Sequence, residues 1–193
     1  MAGASLIFRR PLPSEAEAFA ALHVQCWQES YTEIVPKELM ATFTSTTRLP
    51  MWQSAIPNLE RFVLGAYVEN QPAGFVISGS TPEKHVENQD GHLWAIYILE
   101  AYQGKGIGRN LVRYAHADWA ARGGTSMTVG VLAENKAARL FYEKLGARFV
   151  RDGEYEWSGH RLKDCIYIWN DLNTGYNFKT AELPNSSSGH RFK

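Results

Sequence analysis

The sequence predicts a mixed α/β domain in which one central sheet carries helices on both faces. Stretches with helical hydrophobic spacing alternate along the chain with short β-branched and aromatic runs. A helix that connects two apolar strands favours parallel pairing in the middle of the sheet. Two hairpins favour antiparallel pairing at its flanks. The expected sheet is therefore mixed and mostly antiparallel.

In the N-terminal half, each change of hydrophobic period marks a new element. The predicted elements are a strand over 6–10, a helix over 14–30, one or two helical pieces over 36–56, and a hairpin with strands over 62–69 and 74–80. Ser14 followed by Glu17 matches a capping box at the start of the first helix. The helical pattern breaks down over 42–47, so the second helical region is expected to be interrupted there.

The C-terminal half alternates strands with helices before a final strand pair. After a polar loop over 81–91, the predicted elements are a strand over 92–98, a helix that follows the glycines at 104–108, a strand over 127–131, a helix over 135–145, and strands over 148–155 and 162–170. The run from His92 to Ile98 is almost continuously apolar, which predicts a strand buried on both faces.

A chain of 193 residues is long enough to bury a full core without disulfides or metals. We expect one domain over 1–172 and a mobile tail over 173–193, where the periodicity is lost. The two cysteines, Cys26 and Cys165, are too few and too far apart to indicate a disulfide framework or a zinc cluster. They are expected to be buried thiols, and no metal site is predicted.

The charge balance argues against two classes of partner. Twenty Lys and Arg residues offset twenty Asp and Glu residues. A protein that coats nucleic acid or an anionic membrane usually has a basic excess, so neither partner is expected. The chain shows neither the apolar core of a signal peptide nor a run long enough to span a membrane, and the expected location is the cytoplasm.

The sharpest local motif is a glycine-rich segment between a predicted strand and a predicted helix. Its residues are Gln103-Gly104-Lys105-Gly106-Ile107-Gly108. Glycines permit close approach to the backbone, and the free amides of a helix start attract anions, so the segment suits a phosphate or diphosphate. A dinucleotide fingerprint would need glycine where Arg109 stands, and a P-loop would need Ser or Thr after Lys105. A turn that merely starts a helix is the plain alternative.

A second motif further along the chain adds weight to the first. The matching residues are Ile96-Tyr97-Ile98, Gln103-x-x-Gly106-x-Gly108, and Glu134-Asn135-x-x-Ala138-x-x-Phe141-Tyr142-x-x-Leu145-Gly146. Together they resemble the GNAT superfamily of acyl-CoA-dependent N-acetyltransferases. The resemblance covers roughly 92–150, and the order of elements over 5–170 is compatible with the family fold. It implies that the strands at 92–98 and 125–131 are parallel and splayed apart.

The resemblance also implies acetyl-CoA as the acyl donor. The diphosphate of coenzyme A would lie on the glycine amides, with Lys105 and Arg109 near its charges. Its pantetheine arm would run along the backbone of the strand, like an added strand. The residues expected at the cofactor are Ile96, Tyr97, Ile98, Gln103, Gly104, Lys105, Gly106, Ile107, Gly108, Arg109, Asn135 and Tyr142.

Two residues of the second motif have expected chemical roles by the same resemblance. Tyr142 matches the family position whose hydroxyl protonates the departing thiolate, and its alternative role is core packing beside Phe141. Asn135 can hydrogen-bond the amides of the pantetheine arm, and it can also cap a helix. For Asn135 both roles can hold together.

Acetyl transfer to an ammonium group also needs a base. His92 stands at a strand position where some family members carry a glutamate, and imidazole titrates near neutral pH, so His92 is a candidate. A solvated histidine is the alternative. Glu29, Glu33, Glu100 or a chain of waters could serve instead.

The acceptor is expected to be a primary amine of a small molecule or a peptide. By the resemblance, Trp27, Glu29 and Tyr31 lie in the region that frames the acceptor, and aromatics with carboxylates suit a cationic amine. Core packing for Trp27 and a solvated position for Glu29 are the alternatives. A homodimer is left open. The rival functions are a catalytically silent acyl-CoA-binding sensor or interaction domain and, more remotely, a nucleotide-binding module.

Overall fold

The computed structural model describes residues 5–80 and 90–172. The strands are β1 (Leu6–Arg9), β2 (Phe62–Val68), β3 (Gln71–Gly79), β4 (Gly91–Ile98), β5 (Met127–Leu132), β6 (Arg148–Trp157) and β7 (His160–Trp169). The helices are α1 (Ala16–Tyr31), α2 (Lys37–Thr42), α3 (Ser45–Ala55), α4 (Ile107–Ala121) and α5 (Lys136–Lys144), with 3-10 turns at Pro13–Glu15 and Glu100–Tyr102. The predicted tail and nearly all of the loop predicted over 81–91 lie outside the described residues.

All the described strands form one seven-stranded sheet in the order β1-β2-β3-β4-β5-β7-β6. Neighbouring strands are antiparallel except β4 and β5, which are joined through α4 and pair in parallel. This confirms the predicted mixed, mostly antiparallel sheet. The parallel pair needs a crossover connection, which α4 supplies, whereas the hairpins β2–β3 and β6–β7 need only short turns.

Helices cover both faces of the sheet, and alternate residues of the strands divide between the two cores. On one face, α1 and α3 pack Phe19 and Trp52 against Phe75 of β3. On the other, α4 and α5 pack side chains such as Leu111 and Tyr142 against the sheet. The predicted helices on both faces are thereby confirmed.

The start of α1 differs from the predicted capping box. No side chain caps α1, so Ser14 and Glu17 do not form the box. Glu15 instead accepts a hydrogen bond from the backbone N–H of Leu12 (2.7 Å) and pairs with the two terminal guanidinium nitrogens of Arg9 (2.7 and 2.8 Å). A charged partner on the neighbouring strand outcompetes the local motif, since charge-assisted bidentate pairs are stronger than neutral hydrogen bonds.

The parallel pair β4–β5 separates soon after it begins. Only three residue pairs join the two strands, from Gly91 opposite Met127 to Leu93 opposite Val129. Beyond that point β4 remains paired with β3, and β5 remains paired with β7. The strands therefore diverge toward their C-terminal ends, which confirms the splayed pair implied by the resemblance.

The prediction that β4 is buried on both faces is wrong for its second half. Leu93 is buried, but every residue from Ala95 to Ile98 is only half-buried, and Trp94 is exposed. The register of β4 against β3 skips Trp94, which makes it the extra residue of a bulge. An apolar strand loses burial here because the gap to β5 leaves one of its edges open.

Both cysteines are free and buried, as predicted. Burial raises the pKa of the Cys26 thiol to about 12, so it is protonated at neutral pH. Within residues 5–80 and 90–172, no group of three or more His, Cys, Asp or Glu side chains could hold a metal ion. In the same part of the chain, no helix combines the length and the apolar character that crossing a membrane requires.

Candidate functional site

The gap between the splayed strands opens into a cleft of about 610 Å³. Its walls come from the second half of β4, the 3-10 turn and the start of α4, the end of β5, one face of α5, and the end of α1. Of the residues predicted from the sequence, those that line it are Glu29, Tyr31, Ile96, Tyr97, Ile98, Glu100, Gln103, Gly104, Gly106, Ile107, Gly108, Arg109, Asn135 and Tyr142. Residues separated by more than 100 positions in the chain therefore share one site.

The glycine turn at the mouth of the cleft has a backbone that favours glycine. Gly104 and Gly106 have φ values of +72° and +82°, and a Cβ atom on either would meet nothing within 4 Å. Gly106 is the N-cap of α4, and no side chain caps that helix. The first-turn amides of α4 therefore face open space next to two exposed glycines, which is the geometry of an anion site.

The three residues that follow the turn serve different purposes. Ile107 is buried in the core, so only its backbone is available to a ligand. Gly108 permits a close approach, because a Cβ there would lie 3.1 Å from the ring of Phe141 and 3.2 Å from Ile98. The exposed Arg109 lines the cleft and brings a positive charge to it.

Lys105 is not among the residues that line the cleft. Its ammonium group donates to the carbonyl of Ala101 (2.9 Å) and lies 5.2 Å from the centroid of the Tyr102 ring. In this arrangement Lys105 caps the end of the preceding 3-10 turn rather than entering the cleft.

The edge of β4 that borders the cleft offers backbone hydrogen-bonding groups. The N–H of Leu99 donates to the carbonyl of Ala73, which turns the backbone of Leu99 toward β3. Because successive residues of a strand alternate in direction, the backbone groups of Ile96 and Ile98 turn away from β3. The side chain of Gln103 donates to the carbonyl of Ile98 (3.0 Å), which confirms that this carbonyl faces the cleft.

Two residues of the second motif lie on the cleft side of α5, Asn135 at its start and Tyr142 in its last turn. The Asn135 side-chain oxygen accepts a hydrogen bond from the N–H of Ala138 (3.1 Å), so Asn135 is the N-cap of α5. Tyr142, two turns later, is 6% exposed, and its ring packs edge-on against Trp169. Within the described part of the chain its hydroxyl has no hydrogen-bond partner.

Three tyrosines cluster where the cleft meets the end of α1. The hydroxyl oxygens of Tyr31 and Tyr97 lie 3.3 Å apart. Burial raises the pKa of Tyr142 and of Tyr97 well above the usual tyrosine value, and a nearby tyrosine adds to each rise. Burial also raises the pKa of Tyr31, although polar contacts with Tyr97 and Asn135 offset part of that increase. All three hydroxyls are therefore protonated at neutral pH.

Of the other residues predicted at the acceptor, one lies at the cleft and one does not. Glu29 lines the cleft, and its carboxylate accepts hydrogen bonds from the N–H of Glu100 (2.8 Å) and the side chain of Gln25 (3.0 Å). Trp27 is 7% exposed and stacks on Phe43 with ring centroids 4.4 Å apart. The structure therefore places Trp27 in the core, against helices and the final hairpin, rather than in the cleft.

The structure does not bring His92 to the cleft. His92 lies opposite Thr128 in the short parallel ladder, and its Nδ1 is 2.7 Å from the Thr128 hydroxyl. That position is at the closed end of the β4–β5 pair. The cleft begins one residue further along the strand, at Leu93.

Several residues that line the cleft were not predicted from the sequence as site residues. Ala137, Phe141 and Lys144 line it from α5, and their spacing of four and three residues is the signal that could have found them. Trp94 lines it from β4. No sequence pattern marked Trp94, because its exposure depends on a bulge against another strand.

Residues 17–147 match the model of the Acetyltransferase (GNAT) family. The chain belongs to the GNAT acetyltransferase family. The resemblance seen in the two motifs is thereby confirmed, and the matched region contains every described residue of the cleft named above.

Two proteins with sequences similar to this GNAT chain are named as N-acetyltransferases. YuaI of Bacillus subtilis strain 168, an uncharacterised N-acetyltransferase, is 30% identical over 156 residues, which cover 79% of this chain and 86% of that protein. A spermine/spermidine N(1)-acetyltransferase of the same organism is 28% identical over 102 residues, which cover 51% of this chain and 66% of that protein.

Among solved structures, the fold of this GNAT chain resembles that of the PaiA N-acetyltransferase of Thermoplasma acidophilum in complex with coenzyme A. The TM-score is 0.67, and the match covers 86% of this chain and 99% of that one. At 20% sequence identity this likeness shows a shared fold alone.

Proposed function

We propose that this GNAT acetyltransferase moves an acetyl group from acetyl-CoA to the primary amine of a small molecule or peptide by direct attack. The observation that carries the proposal is the joining, in one cleft, of an open strand edge at Ile96 and Ile98 with an uncapped helix start at Gly106. An anion site at the end of an extended slot suits a ligand with a diphosphate and a long amide-bearing arm. The solved relative that contains coenzyme A supports the choice of donor.

The residues present fit coenzyme A. The open space beside Gly104 and Gly106 is where a Cβ atom would otherwise intrude, and the α4 amides behind it would hold the diphosphate. Arg109 would neutralise part of the phosphate charge. The backbone of Ile96 would pair with the amides of the extended arm. A cleft of about 610 Å³ lies within the range of small-molecule sites.

When bound, acetyl-CoA supplies an activated thioester. Tyr142 holds a proton on its hydroxyl throughout the neutral range, as any tyrosine of ordinary pKa does, and burial raises the pKa of that group further. A protonated hydroxyl that no described residue engages is suited to donate its proton to a leaving thiolate. We therefore assign Tyr142 as the general acid.

On the acceptor side we assign Glu29 and Tyr31. Glu29 brings a carboxylate to the cleft, and Tyr31 adds an aromatic face and a hydroxyl, a combination that attracts a cationic amine. The relative named as a spermine/spermidine acetyltransferase supports a small amine as the acceptor class. Neither His92 nor Trp27 enters this proposal, because neither lines the cleft. A cytoplasmic location and a homodimer stay predictions from the sequence.

Ligand-induced thermal shifts test the proposal. A ligand at a hundred times its dissociation constant adds about 2.7 kcal/mol of stability, which is roughly 5 to 10 °C for a domain of this size. We expect such a shift with coenzyme A and acetyl-CoA and little with NAD or ATP. A screen of polyamines, amino acids, aminoglycosides and peptides should then show thiol release with at least one amine class. A shift with ATP or NAD alone would contradict the proposal, and binding without any thiol release would favour the silent sensor.

A further inference from the structure

One carboxylate joins three separate segments at the closed end of the β4–β5 pair. Asp90, the residue before β4, accepts five hydrogen bonds. They come from Trp119 Nε1 (2.9 Å), from the N–H and hydroxyl of Thr125 (both 2.7 Å), and from the N–H and hydroxyl of Ser126 (2.9 and 3.2 Å). Trp119 belongs to the last turn of α4, and the other two donors precede β5. We call this group of four residues the Asp90 clasp.

Two glycines make room for the indole of the clasp. A Cβ atom on Gly91 or on Gly124 would clash with the pyrrole edge of Trp119. The ring therefore sits directly on two backbone segments, one at the start of β4 and one before β5, while its N–H reaches Asp90. The indole N–H of Trp119, the carboxylate of Asp90 and both glycines meet at one point. This contact holds α4 against the two strands in a single orientation.

The clasp lies where the separation of the strands is determined. The parallel ladder begins at Gly91, directly after Asp90, and ends with its third residue pair at Leu93, where the cleft opens. A ladder this short supplies few hydrogen bonds of its own. Each hydrogen bond to an ionised carboxylate is stronger than a hydrogen bond between neutral groups. The five hydrogen bonds to Asp90 therefore hold the two strands together at their junction.

The clasp also holds the far end of the helix that begins at the glycine turn. α4 has 15 residues, which corresponds to a length of about 22 Å, with Gly106 before its first residue and Trp119 near its last. A small rotation of α4 about its clasped end moves its first-turn amides much further than it moves Trp119. The open edge of β4 and the start of α4 are the two walls of the cleft that would hold coenzyme A. Both walls therefore depend on this one junction.

We propose that Asp90 is a positioning residue that holds the coenzyme A slot in its binding geometry before the ligand arrives. The inference rests on the proposed function, and none of the four clasp residues lines the cleft itself. Without the clasp, the strands and α4 would sample several orientations, and binding would have to select one of them. Loss of the clasp should therefore lower the affinity for acetyl-CoA, whereas the protein with acetyl-CoA bound would recover its geometry.

Calorimetry with coenzyme A and steady-state kinetics test the proposal on Asp90→Asn, with Glu15→Gln as the matched control. Glu15 is also a carboxylate that accepts several hydrogen bonds, and hydrogen bonding lowers the pKa of both to about 2. It lies between β1 and α1, outside the cleft. We expect Asp90→Asn to raise the Kd for coenzyme A and the KM for acetyl-CoA about 10-fold, with kcat at saturating donor within about twofold of wild type. Glu15→Gln should lower the Tm and leave Kd unchanged.

The possible outcomes separate the two proposals. An unchanged Kd in a folded Asp90→Asn variant overturns the inference, as does an equal rise of Kd in Glu15→Gln. If Asp90→Asn does not fold, Trp119→Phe is the variant that tests the inference, because it removes one hydrogen bond to Asp90 and keeps an aromatic ring against the two glycines. A raised Kd in that variant supports the inference, and a wild-type Kd overturns it. Absence of coenzyme A binding by the wild-type protein would overturn the proposed function itself.

Discussion

The hydroxyl oxygens of Tyr31 and Tyr97 lie 3.3 Å apart, with their rings nearly perpendicular. Tyr31 is the last residue of α1, and Tyr97 is the penultimate residue of β4, so this contact ties the helix to the strand whose other edge is open. It also brings a residue that we assign to the acceptor against the strand that we assign to the donor. The contact therefore lies where the two halves of the cleft meet.

Removing either hydroxyl of this pair should destabilise the protein, because the remaining one loses its partner in a poorly solvated position. We expect Tyr31→Phe and Tyr97→Phe each to cost about 1 kcal/mol of unfolding free energy, and the double variant to cost clearly less than the sum. Urea denaturation of all four proteins gives the coupling energy. Additive losses would show that the two hydroxyls do not interact in solution.

Tyr142→Phe should lower kcat by roughly 100-fold and change the Kd for coenzyme A little, because the ring and its packing are kept and only the proton donor is lost. Steady-state kinetics and calorimetry measure the two quantities. Tyr114→Phe is the control, since Tyr114 packs against Phe8 outside the cleft, with the two rings tilted, and should keep wild-type turnover. Full turnover of Tyr142→Phe, with chemistry rate-limiting, would remove Tyr142 from the mechanism.

Gly106→Val should abolish coenzyme A binding, because the side chain would fill the space that the diphosphate needs. The control is Gly159→Val in the turn between β6 and β7. Gly159 has a φ of +80° against +82° for Gly106, and a Cβ on either meets nothing within 4 Å. Both variants therefore carry a similar backbone strain. Calorimetry should show loss of binding only for Gly106→Val, and equal binding by the two variants would contradict the assignment of the glycine turn.

The protein should lose stability as the pH falls below about 6.5. His23 and His116 are buried, and burial lowers the pKa of each to about 3. Well above pH 6.5 both are neutral whether the chain is folded or not. Below it, only the unfolded chain takes up their protons, so each histidine costs about 1 kcal/mol of stability between pH 6.5 and 5.5. Urea denaturation at these two values measures the loss.

His23→Leu isolates one of the two contributions. Within the described residues, His23 Nδ1 has no hydrogen-bond partner, so a residue of similar size should fit without leaving a donor or acceptor unpaired. We expect the stability loss between pH 6.5 and 5.5 to shrink by about 1 kcal/mol in this variant. His160→Gln, at an exposed position, should keep the wild-type loss. An identical loss in His23→Leu would show that His23 does not cause the pH dependence.

The carboxylates titrate in a separate window. Hydrogen bonds lower the pKa of Asp90 and Glu15 to about 2, against ordinary values near 4. Their contribution is complete above about pH 5 and declines as the pH falls from 5 toward 2. The histidine effect between pH 6.5 and 5.5 can thus be measured without interference from these two groups.

The sequence by itself determined the features that depend on neighbours within a few positions. Hydrophobic periodicity located the described strands and α-helices, although it left one or two helices open over 36–56 and did not indicate the two 3-10 turns. The residue type of Asn135 allowed the helix-capping role that it has, and the glycines at 104 and 106 marked a turn whose φ values are indeed positive. These properties are local because propensity, capping and left-handed backbone are decided by each residue and its nearest neighbours.

Only the tertiary structure decided which of these residues share a site. Trp27 and Tyr31 lie one helical turn apart, yet one stacks in the core on Phe43 and the other reaches Tyr97 at the cleft. His92 contacts Thr128 at the closed end of the β4–β5 pair. At the start of α1, the ion pair of Glu15 with Arg9 takes the place of the expected capping box. Each outcome depends on a partner on another element, and a pattern of period two or 3.6 contains no information about which partner packs on which face.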